Sequence, residues 1–494
     1  MRRRAGILLH PTSLPGPEGI GTLGADARRF LEFLRAARQS LWQILPLGPT
    51  GYGDSPYQSF SAFAGNPLLV ALDELPGLDP GGPPPARVDG DPPARIDYGA
   101  LVAAKPPLLD AAADAFLSGG AGAAQRQFRR FARRNSGWLD DFALFMALKS
   151  QHGGRTWSEW EPALARRDPP AIQRGLRDLA PVVERIKVQQ FFFAAQWARL
   201  RREAHRLGIG VIGDMPIFVA YDSADVWANP GLFKLDADRR PTVVAGVPPD
   251  YFSKTGQLWG NPIYDWQRMR ETGCRWWIDR VRRAFELTDI VRIDHFRGFA
   301  ASWEVPAGAA TAERGEWVPG PGQALFRAIE EELGRKAIIA EDLGVITPDV
   351  VELRRALRFP GMRVLQFAFD GGPDNGYLPH NCRPRSVVYT GTHDNDTTLG
   401  WFAALPHETR ERVRDYLGHR ADDIAWDLLR LAWQSVARNA VAPLQDVLRL
   451  GPEARMNIPG RPAGNWAWRF GWHQFPEGLA EHLGRLTALC ARGR

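Results

Sequence analysis

Asp289-Ile-Val-Arg-Ile-Asp294 is the stretch whose reading decides the fold. Ile290, Val291 and Ile293 mark a strand built for burial, yet it ends on a carboxylate, which is costly there unless paired, hydrated or used. Two more runs have the same form: Ala337-Ile-Ile-Ala-Glu341 and Ser386-Val-Val-Tyr-Thr-Gly-Thr-His-Asp394. Parallel strands of one barrel deliver their C-terminal ends to a common face, where Asp294, Glu341 and Asp394 could converge on a substrate.

Working outward, strand-like runs recur at Ala5 to Leu9, Leu41 to Leu47, Ile209 to Ile212, Asp289 to Ile293, Ala337 to Ala340, Val364 to Phe369, Ser386 to Tyr389 and Ala440 to Val447. Helical spacing appears in Phe30, Phe33, Leu34 and Ala37, and again over Cys274 to Phe285, Gln323 to Leu333 and Asp349 to Leu357. Eight strands alternating with crossover-length helices predict an α/β chain folded as a (β/α)8 TIM-type barrel. Two gaps exceed what a bare barrel needs. The first holds the Pro/Gly-rich stretch Pro76 to Pro93 and then helix-like sequence around Phe128, Phe131, Trp138, Phe142 and Phe145. The second, rich in Trp, Tyr, Gly and Pro, contains Tyr251-Phe-Ser-Lys-Thr-Gly-Gln-Leu-Trp259-Gly-Asn-Pro262. Long connections of this kind in a compact domain are usually functional, so this one is expected to overhang the site. The expected organisation is residues 1–70 as the first part of the barrel and 71–205 as a helical insertion subdomain. Residues 206–494 complete the barrel, with a substrate-covering insertion at about 220–285.

Composition narrows the function classes. The 494 residues are 44% hydrophobic and 24% charged, an ordinary globular balance. A net charge of +6 is small against 62 basic and 56 acidic residues, and the basic runs Arg199 to Arg206 and Arg280 to Arg283 are interleaved with apolar residues as on amphipathic helices. Solvated helix faces therefore outweigh a nucleic-acid surface. Three widely spaced cysteines, Cys274, Cys382 and Cys490, argue against a disulfide framework or thiolate zinc site, and the histidines lack metal-ligand spacing, so neither metal nor cofactor is expected. Prolines and His10 interrupt the apolar stretch after Met1-Arg-Arg-Arg4, and no apolar run approaches the roughly 20 residues that span a bilayer. The expected setting is soluble and cytoplasmic, with no membrane partner. Gly19-Ile-Gly21-Thr-Leu-Gly24 matches a dinucleotide fingerprint but lies across a Pro-rich turn from its strand, with no acid ending the next one; a tight turn at a helix start is the better reading.

The strand ends carry the chemistry. Arg292 and Asp294 are two apart, so they share one face of a strand, close enough for the cation to hold the carboxylate ionised as a nucleophile. Glu341 ends a strongly apolar run, which raises a carboxyl toward the range of a usable general acid. Either residue alone fits a helix cap or an ion pair equally well; together they point to a site. His393-Asp394 adds a third acid beside a donor, and Asp214 in Gly213-Asp-Met-Pro-Ile-Phe218 a fourth. Paired carboxylates, no metal motif and 18 Trp, 9 Tyr and 25 Phe suggest glycosidic chemistry, because pyranose faces stack on rings while their hydroxyls need carboxylates and amides.

An ordered set of motifs carries a family resemblance from His10 to Trp468: Ser55-Pro-Tyr57-Gln-Ser-Phe-Ser-Ala-Phe-Ala-Gly-Asn-Pro67, Gly213-Asp-Met-Pro-Ile-Phe-Val219, Val291-Arg-Ile-Asp-His-Phe-Arg-Gly298, Ala340-Glu-Asp-Leu-Gly344, Gly391-Thr-His-Asp-Asn-Asp396 and Glu453-Ala-Arg-Met-Asn457. The series resembles the 4-α-glucanotransferases, the amylomaltase or disproportionating enzymes. The resemblance implies a barrel related to that of the α-amylases without a C-terminal β-sandwich, and retaining double displacement on α-1,4-glucans and maltooligosaccharides. It further implies Asp294 as nucleophile, Glu341 as acid/base and Asp394 as transition-state stabiliser, with Arg292 and His393 beside them. Ser55, Tyr57, Asp214, Asp370 and Asn465 would be sugar contacts, and Gln257 and Trp259 would act from the overhanging loop. A retaining site places its nucleophile and acid/base carboxyls about 5–5.5 Å apart. The readings that compete are an α-glucan hydrolase using the same carboxylates, a non-catalytic glucan-binding protein and, distantly, a nucleic-acid-binding protein; oligomeric state is left open.

Overall fold

The computed structural model describes residues 3–75, 94–120, 122–249, 253–461 and 463–493. The Pro/Gly-rich stretch Pro76 to Pro93, Tyr251 and Phe252 of the expected overhanging loop, and Met1 and Arg2 of the basic start lie outside them. Twelve strands are present among the described residues: β1 (Arg4–Leu8), β2 (Leu41–Gln43), β3 (Gly210–Pro216), β4 (Val243–Val247), β5 (Gln257–Pro262), β6 (Ile290–Asp294), β7 (Ala301–Pro306), β8 (Glu316–Pro319), β9 (Ile338–Ala340), β10 (Gly361–Val364), β11 (Ser386–Tyr389) and β12 (Asn439–Pro443). Eight of them close a parallel barrel in the order β1-β12-β11-β10-β9-β6-β3-β2. Each barrel strand therefore neighbours the next one in the chain, as right-handed βα units require.

Alternation along the strands separates two apolar layers. Leu8, Leu41, Ile212, Ile290, Ile339, Val387 and Val441 fill the barrel interior. Their sequence neighbours Ile7, Val211, Val291, Ile338, Val388 and Ala440 face outward into the helix layer. The period of two that puts Ile290 inside puts Arg292 and Asp294 inside as well, further along the same strand. The site is built from the top layer of the barrel's own filling.

Four strand boundaries differ from the sequence reading by more than one residue, the first being β3, which runs on from Ile212 through Asp214 to Pro216. The run Leu41 to Leu47 is a strand only to Gln43; Pro46 cannot donate to a ladder, which helps to keep the strand short. In place of Val364 to Phe369, the strand is β10, and Leu365–Phe367 turn into a 3-10 helix. A continuous apolar run signals burial without fixing which part pairs. Beyond Ala440 the strand stops at Pro443, and Leu444–Val447 are helical, with proline closing the strand and preceding the helix. The Gly19 to Gly24 segment is a turn: Gly24 precedes the helix Ala25–Ala36, and a Cβ on Gly21 would sit 1.9 Å from the Pro11 carbonyl oxygen.

The connection from β2 to β3 contains the long helices Tyr98–Ser118, Ala123–Gln151 and Ala180–Arg206. Phe116, Phe128, Phe191 and Phe192 knit them together, with the Phe116 and Phe192 rings edge to face at 5.5 Å. The last of these helices also lies on the barrel wall, where its Trp197 sits 6.4 Å from Trp42 of β2. A second, antiparallel sheet of order β5-β4-β7-β8 stands beside the barrel. Its strands β4 and β5 come from the long connection after β3, whereas β7 and β8 come from the connection after β6, which the sequence reading had not credited with strands. The helix Arg275–Leu287 at the end of the first connection packs on β3 and β6 as a crossover helix. Among the described residues no helix is long and apolar enough to cross a membrane.

Candidate active site

The ends of β3, β6 and β9 meet in register. Asp214 pairs with Arg292, and Ile293 with Ala340, so Asp294 and Glu341 occupy laterally adjacent positions on neighbouring strands. Arg292 is 3% exposed and distributes its donors fully. Nη1 donates to both carboxylate oxygens of Asp214 at 2.8 and 2.7 Å, Nη2 pairs with Oδ1 of Asp294 at 2.9 Å, and Nε meets Sδ of Met362 at 3.3 Å. Tyr57 donates its hydroxyl to Oδ2 of Asp214 at 2.9 Å. A fully buried Asp214 carboxylate is thus satisfied by a cation and a phenol, and the cation is fixed where it can reach Asp294.

Glu341 is 9% exposed and is oriented by main chain. The amide of His295 donates to Oε2 at 2.8 Å and that of Leu343 to Oε1 at 2.7 Å. His295 takes left-handed backbone angles (φ 51°, ψ 49°) directly after the strand, an unusual conformation that sets this turn. Burial pushes the Glu341 carboxyl up to about 8, the Asp294 charge adds to the rise, and Arg292 and the two amides oppose it. Asp294 is also raised, first by burial, with Arg292 opposing and the charges of Asp214 and Asp394 adding. Two adjacent carboxyls that repel hold one proton between them, and the guanidinium contact lies on Asp294. The guanidinium contact favours ionisation of Asp294, and Glu341 is the carboxyl pushed up to about 8.

Asp394 is placed differently. It lies five residues beyond the end of β11, on a loop and not at a strand end. His393 Nε2 pairs with its Oδ2 at 3.2 Å, Asn457 Nδ2 donates to Oδ1 at 2.6 Å, and Arg455 holds its backbone carbonyl at 2.7 Å. Burial works against ionisation, but His393 and Asn457 hold the carboxyl well below the usual range. Asp394 in turn raises His393 despite that ring's burial. The Tyr57 ring stacks on His393 at 5.1 Å, and Trp466, in the left-handed region at φ 62°, lies 5.6 Å from Tyr57. One aromatic stack thus spans the segment of Tyr57, the Asp394 loop and the C-terminal segment.

The remaining sequence-picked residues surround this centre. Ser55 Oγ accepts from the Tyr57 amide at 3.2 Å and shapes that turn. Gln257 and Trp259 lie on β5, where Trp259 Nε1 donates to Gln257 Oε1 at 3.3 Å and the Trp259 ring meets the His295 ring edge-on at 4.6 Å. Asp370 is exposed and accepts from Asn375 at 2.9 Å; its charge and that of Glu341 both act on the Tyr377 hydroxyl. Asn465 spends its amide on its own loop, accepting from Ile458 N at 2.9 Å and donating to the Arg461 carbonyl at 2.9 Å. Direct contacts thus join Tyr57, Asp214, Arg292, Asp294, His393 and Asp394, and charge coupling adds Glu341. Among the described residues Gln257, Asp370 and Asn465 bond to Trp259, to Asn375 and to their own loop, and not to the three central carboxylates. Asn457 and Arg455 were within reach of sequence reasoning, since both stand in the Glu453 to Asn457 motif. Trp466 and the two amides on Glu341 left no signal in residue type. Among the described residues no cluster of three or more His, Cys, Asp and Glu side chains is arranged to hold a metal ion.

This arrangement has close relatives. The sequence profile of the 4-alpha-glucanotransferase family matches residues 9–473. The 4-alpha-glucanotransferase of Thermus thermophilus is 53% identical over 502 residues, covering 99% of this chain and 98% of that protein. That of Synechocystis is 49% identical, with 99% and 98% covered. Among solved structures, the amylomaltase from Streptococcus agalactiae in complex with acarbose superposes with a TM-score of 0.96 at 40% identity, over 100% of both chains. With its carboxylates set on a closed parallel barrel and its family's profile matched along nearly its whole length, the chain belongs to the 4-alpha-glucanotransferases.

Proposed function

We propose that this chain transfers α-1,4-glucan segments between maltooligosaccharides by retaining double displacement. Asp294 attacks the anomeric carbon while Glu341 protonates the departing glycosidic oxygen, giving a covalent glycosyl-enzyme. Glu341 then takes the proton of an incoming sugar hydroxyl, which attacks the same carbon and frees Asp294. Asp394, held ionised, stabilises the positive charge that develops on the ring in both steps. Arg292 keeps Asp294 ionised between turnovers. Tyr57, Asp214, His393 and Trp466 form the floor on which the reacting sugar rests, with Ser55, Asp370 and Asn465 shaping its rim.

The observation that carries this reading is the side-by-side register of Asp294 and Glu341, with the guanidinium on the former and a raised carboxyl on the latter. Retaining chemistry requires a spacing of about 5–5.5 Å between the two carboxyls, which leaves no room for water to attack directly, and positions side by side on adjacent strands suit that requirement. Transfer in preference to hydrolysis agrees with the 4-alpha-glucanotransferase relatives and requires cover over the intermediate. We assign that cover to residues 253–262 and the sheet carrying Trp259, and we read residues 71–205 as the helical insertion expected from sequence. Free Cys274, Cys382 and Cys490 suit a reducing, cytoplasmic setting.

Incubation with maltotriose followed by chromatography tests the reading. Glucose together with longer glucans, at constant reducing-end concentration, is the expected result; reducing ends that rise with each cleavage would indicate hydrolysis. Trp259→Ala should raise the ratio of hydrolysis to transfer, and an unchanged ratio would remove that side chain from the covering role.

A further inference from the structure

Arg297 is 7% exposed and forms no salt bridge among the described residues; the Asp349 charge reaches it only at a distance. Its Nε is buried without a hydrogen-bond partner. A buried guanidinium with so little compensation needs a reason. Its one strong bond runs from Nη1 to the Val345 carbonyl oxygen at 2.5 Å. That bond joins two segments with one feature in common. Arg297 lies in the 3-10 turn Phe296–Phe299, directly after His295, whose amide holds Oε2 of Glu341. Val345 lies two residues after Leu343, whose amide holds Oε1. Between them stands Gly344 at φ 77°, a left-handed position that glycine takes without strain. Val345 itself is 56% exposed, so little apolar burial fixes this segment. The indole ring of Trp317, on β8, covers the guanidinium with its centroid 3.7 Å from Cζ.

We propose that Arg297 is a positioning residue for Glu341: it ties the segment after β9 to the turn after β6 and so holds both amides against the acid/base carboxylate, with Trp317 as its cover. The second sheet thereby acts on proton transfer as well as on access. The proposal rests on Glu341 being the acid/base.

The test compares Arg297→Met, Arg297→Lys, Trp317→Ala and Glu341→Gln on maltotriose and on an aryl α-maltotrioside, whose leaving group needs little protonation, with pH profiles on both. Arg297→Met should lower kcat on maltotriose about a hundredfold, the scale of a misplaced catalytic group, with KM changing less than about twofold. The aryl substrate should lose far less. The two amides favour the ionised carboxylate, so loosening them moves the alkaline limb of kcat/KM to higher pH. The groups facing Glu341, namely Asp294, Arg292 and Tyr377, remain in place, as do His295 and Asp349 around position 297. Arg297→Lys should recover part of the loss, since an ammonium can still donate to the carbonyl. Trp317 is 38% exposed, so Trp317→Ala will fold even if Arg297→Met does not, and it should give the same pattern at smaller size. Equal losses on both substrates with an unmoved alkaline limb would overturn the proposal. If Glu341→Gln also shows equal losses, the failure lies with the acid/base assignment and not with Arg297.

Discussion

Two buried arginines stand at opposite ends of the barrel, and their partners differ in kind. At the C-terminal rim Arg292 pairs with the carboxylates of Asp214 and Asp294. At the base, Arg492 is completely buried and binds only oxygens that cannot titrate. It donates to the carbonyls of Trp433 at 2.6 Å, Ser435 at 2.7 Å, Ala437 at 2.9 Å and Arg4 at 3.1 Å. Arg3 reaches the Trp433 and Ser435 carbonyls as well, at 2.7 and 2.6 Å. The Trp433 and Ser435 oxygens belong to the C-terminal end of the helix Ile424–Gln434, where unpaired carbonyls and the helix dipole favour a cation, whereas that of Arg4 comes from β1 and that of Ala437 from the segment before β12. Carbonyl partners do not titrate, so this joint changes only where Arg492 itself, lowered by burial to about 9, gives up its proton. Carboxylate partners make one whose charge distribution can be set and spent during a reaction. The same side chain thus serves as a permanent fastening at the base and as a tuning element at the rim.

Arg292→Met should show the largest effect and touch both stability and activity. It strands the Asp214 carboxylate, whose side chain is 0% exposed, without a counter-charge, a loss of about 3–5 kcal/mol when one partner of a buried pair is removed. It also lets Asp294 keep a proton, so kcat on maltotriose should fall by at least about a hundredfold. Denaturant unfolding and initial rates together check this; a variant that unfolds like the parent would show that water, not Arg292, satisfies Asp214. Arg492→Met should affect stability alone. Losing charge-assisted bonds to several helix-end carbonyls costs about 2–3 kcal/mol, while kcat measured well below the melting temperature stays within about twofold. A fall in kcat with unchanged stability at that position would erase the distinction between rim and base.

Much of this contrast was legible in the sequence at one end and little at the other. Asp294 and Glu341 announce themselves because a carboxylate closing a β-branched run violates the burial pattern around it, and the period of two places Arg292 on the same face as Asp294. Asp394 reads by the same rule as the end of the Ser386 run, although the barrel strand stops five residues earlier at Tyr389. Arg492 gives no such signal: an arginine near a basic C-terminal helix reads as a solvated residue, and its burial depends on carbonyls brought to it by a helix and two strands far away in the chain. The strands β7 and β8 were missed because short half-exposed strands between turns lack strong periodicity. The ends of β10 and β12 were misplaced where prolines and continuous apolar sequence leave pairing to tertiary context.

The two ends also separate by pH. The carboxyl of Glu341 sits near 8 in the folded chain, against an ordinary value of 4.5. Below 4.5 both folded and unfolded chains carry the proton, and its contribution to stability is complete. As pH rises from 4.5 toward 8 the unfolded chain gains by ionising while the folded one retains the proton, so stability is lost progressively across that window. Glu341→Gln removes the difference. The melting temperature of this variant relative to the parent should therefore climb between about pH 5 and 8 and then level off. His393, raised by Asp394, loses stability in the same direction above 6.5, but it is present in both proteins and cancels in the difference. Over the same range Arg492→Met should lower the melting temperature by a constant amount, because none of its carbonyl partners titrates. The activity readout follows the same proton: kcat/KM on maltotriose should fall as pH passes about 8, where Glu341 ceases to be an acid. A flat difference for Glu341→Gln would mean that its carboxyl is ionised in the folded protein at neutral pH, and the division of labour between Asp294 and Glu341 would then have to be reversed.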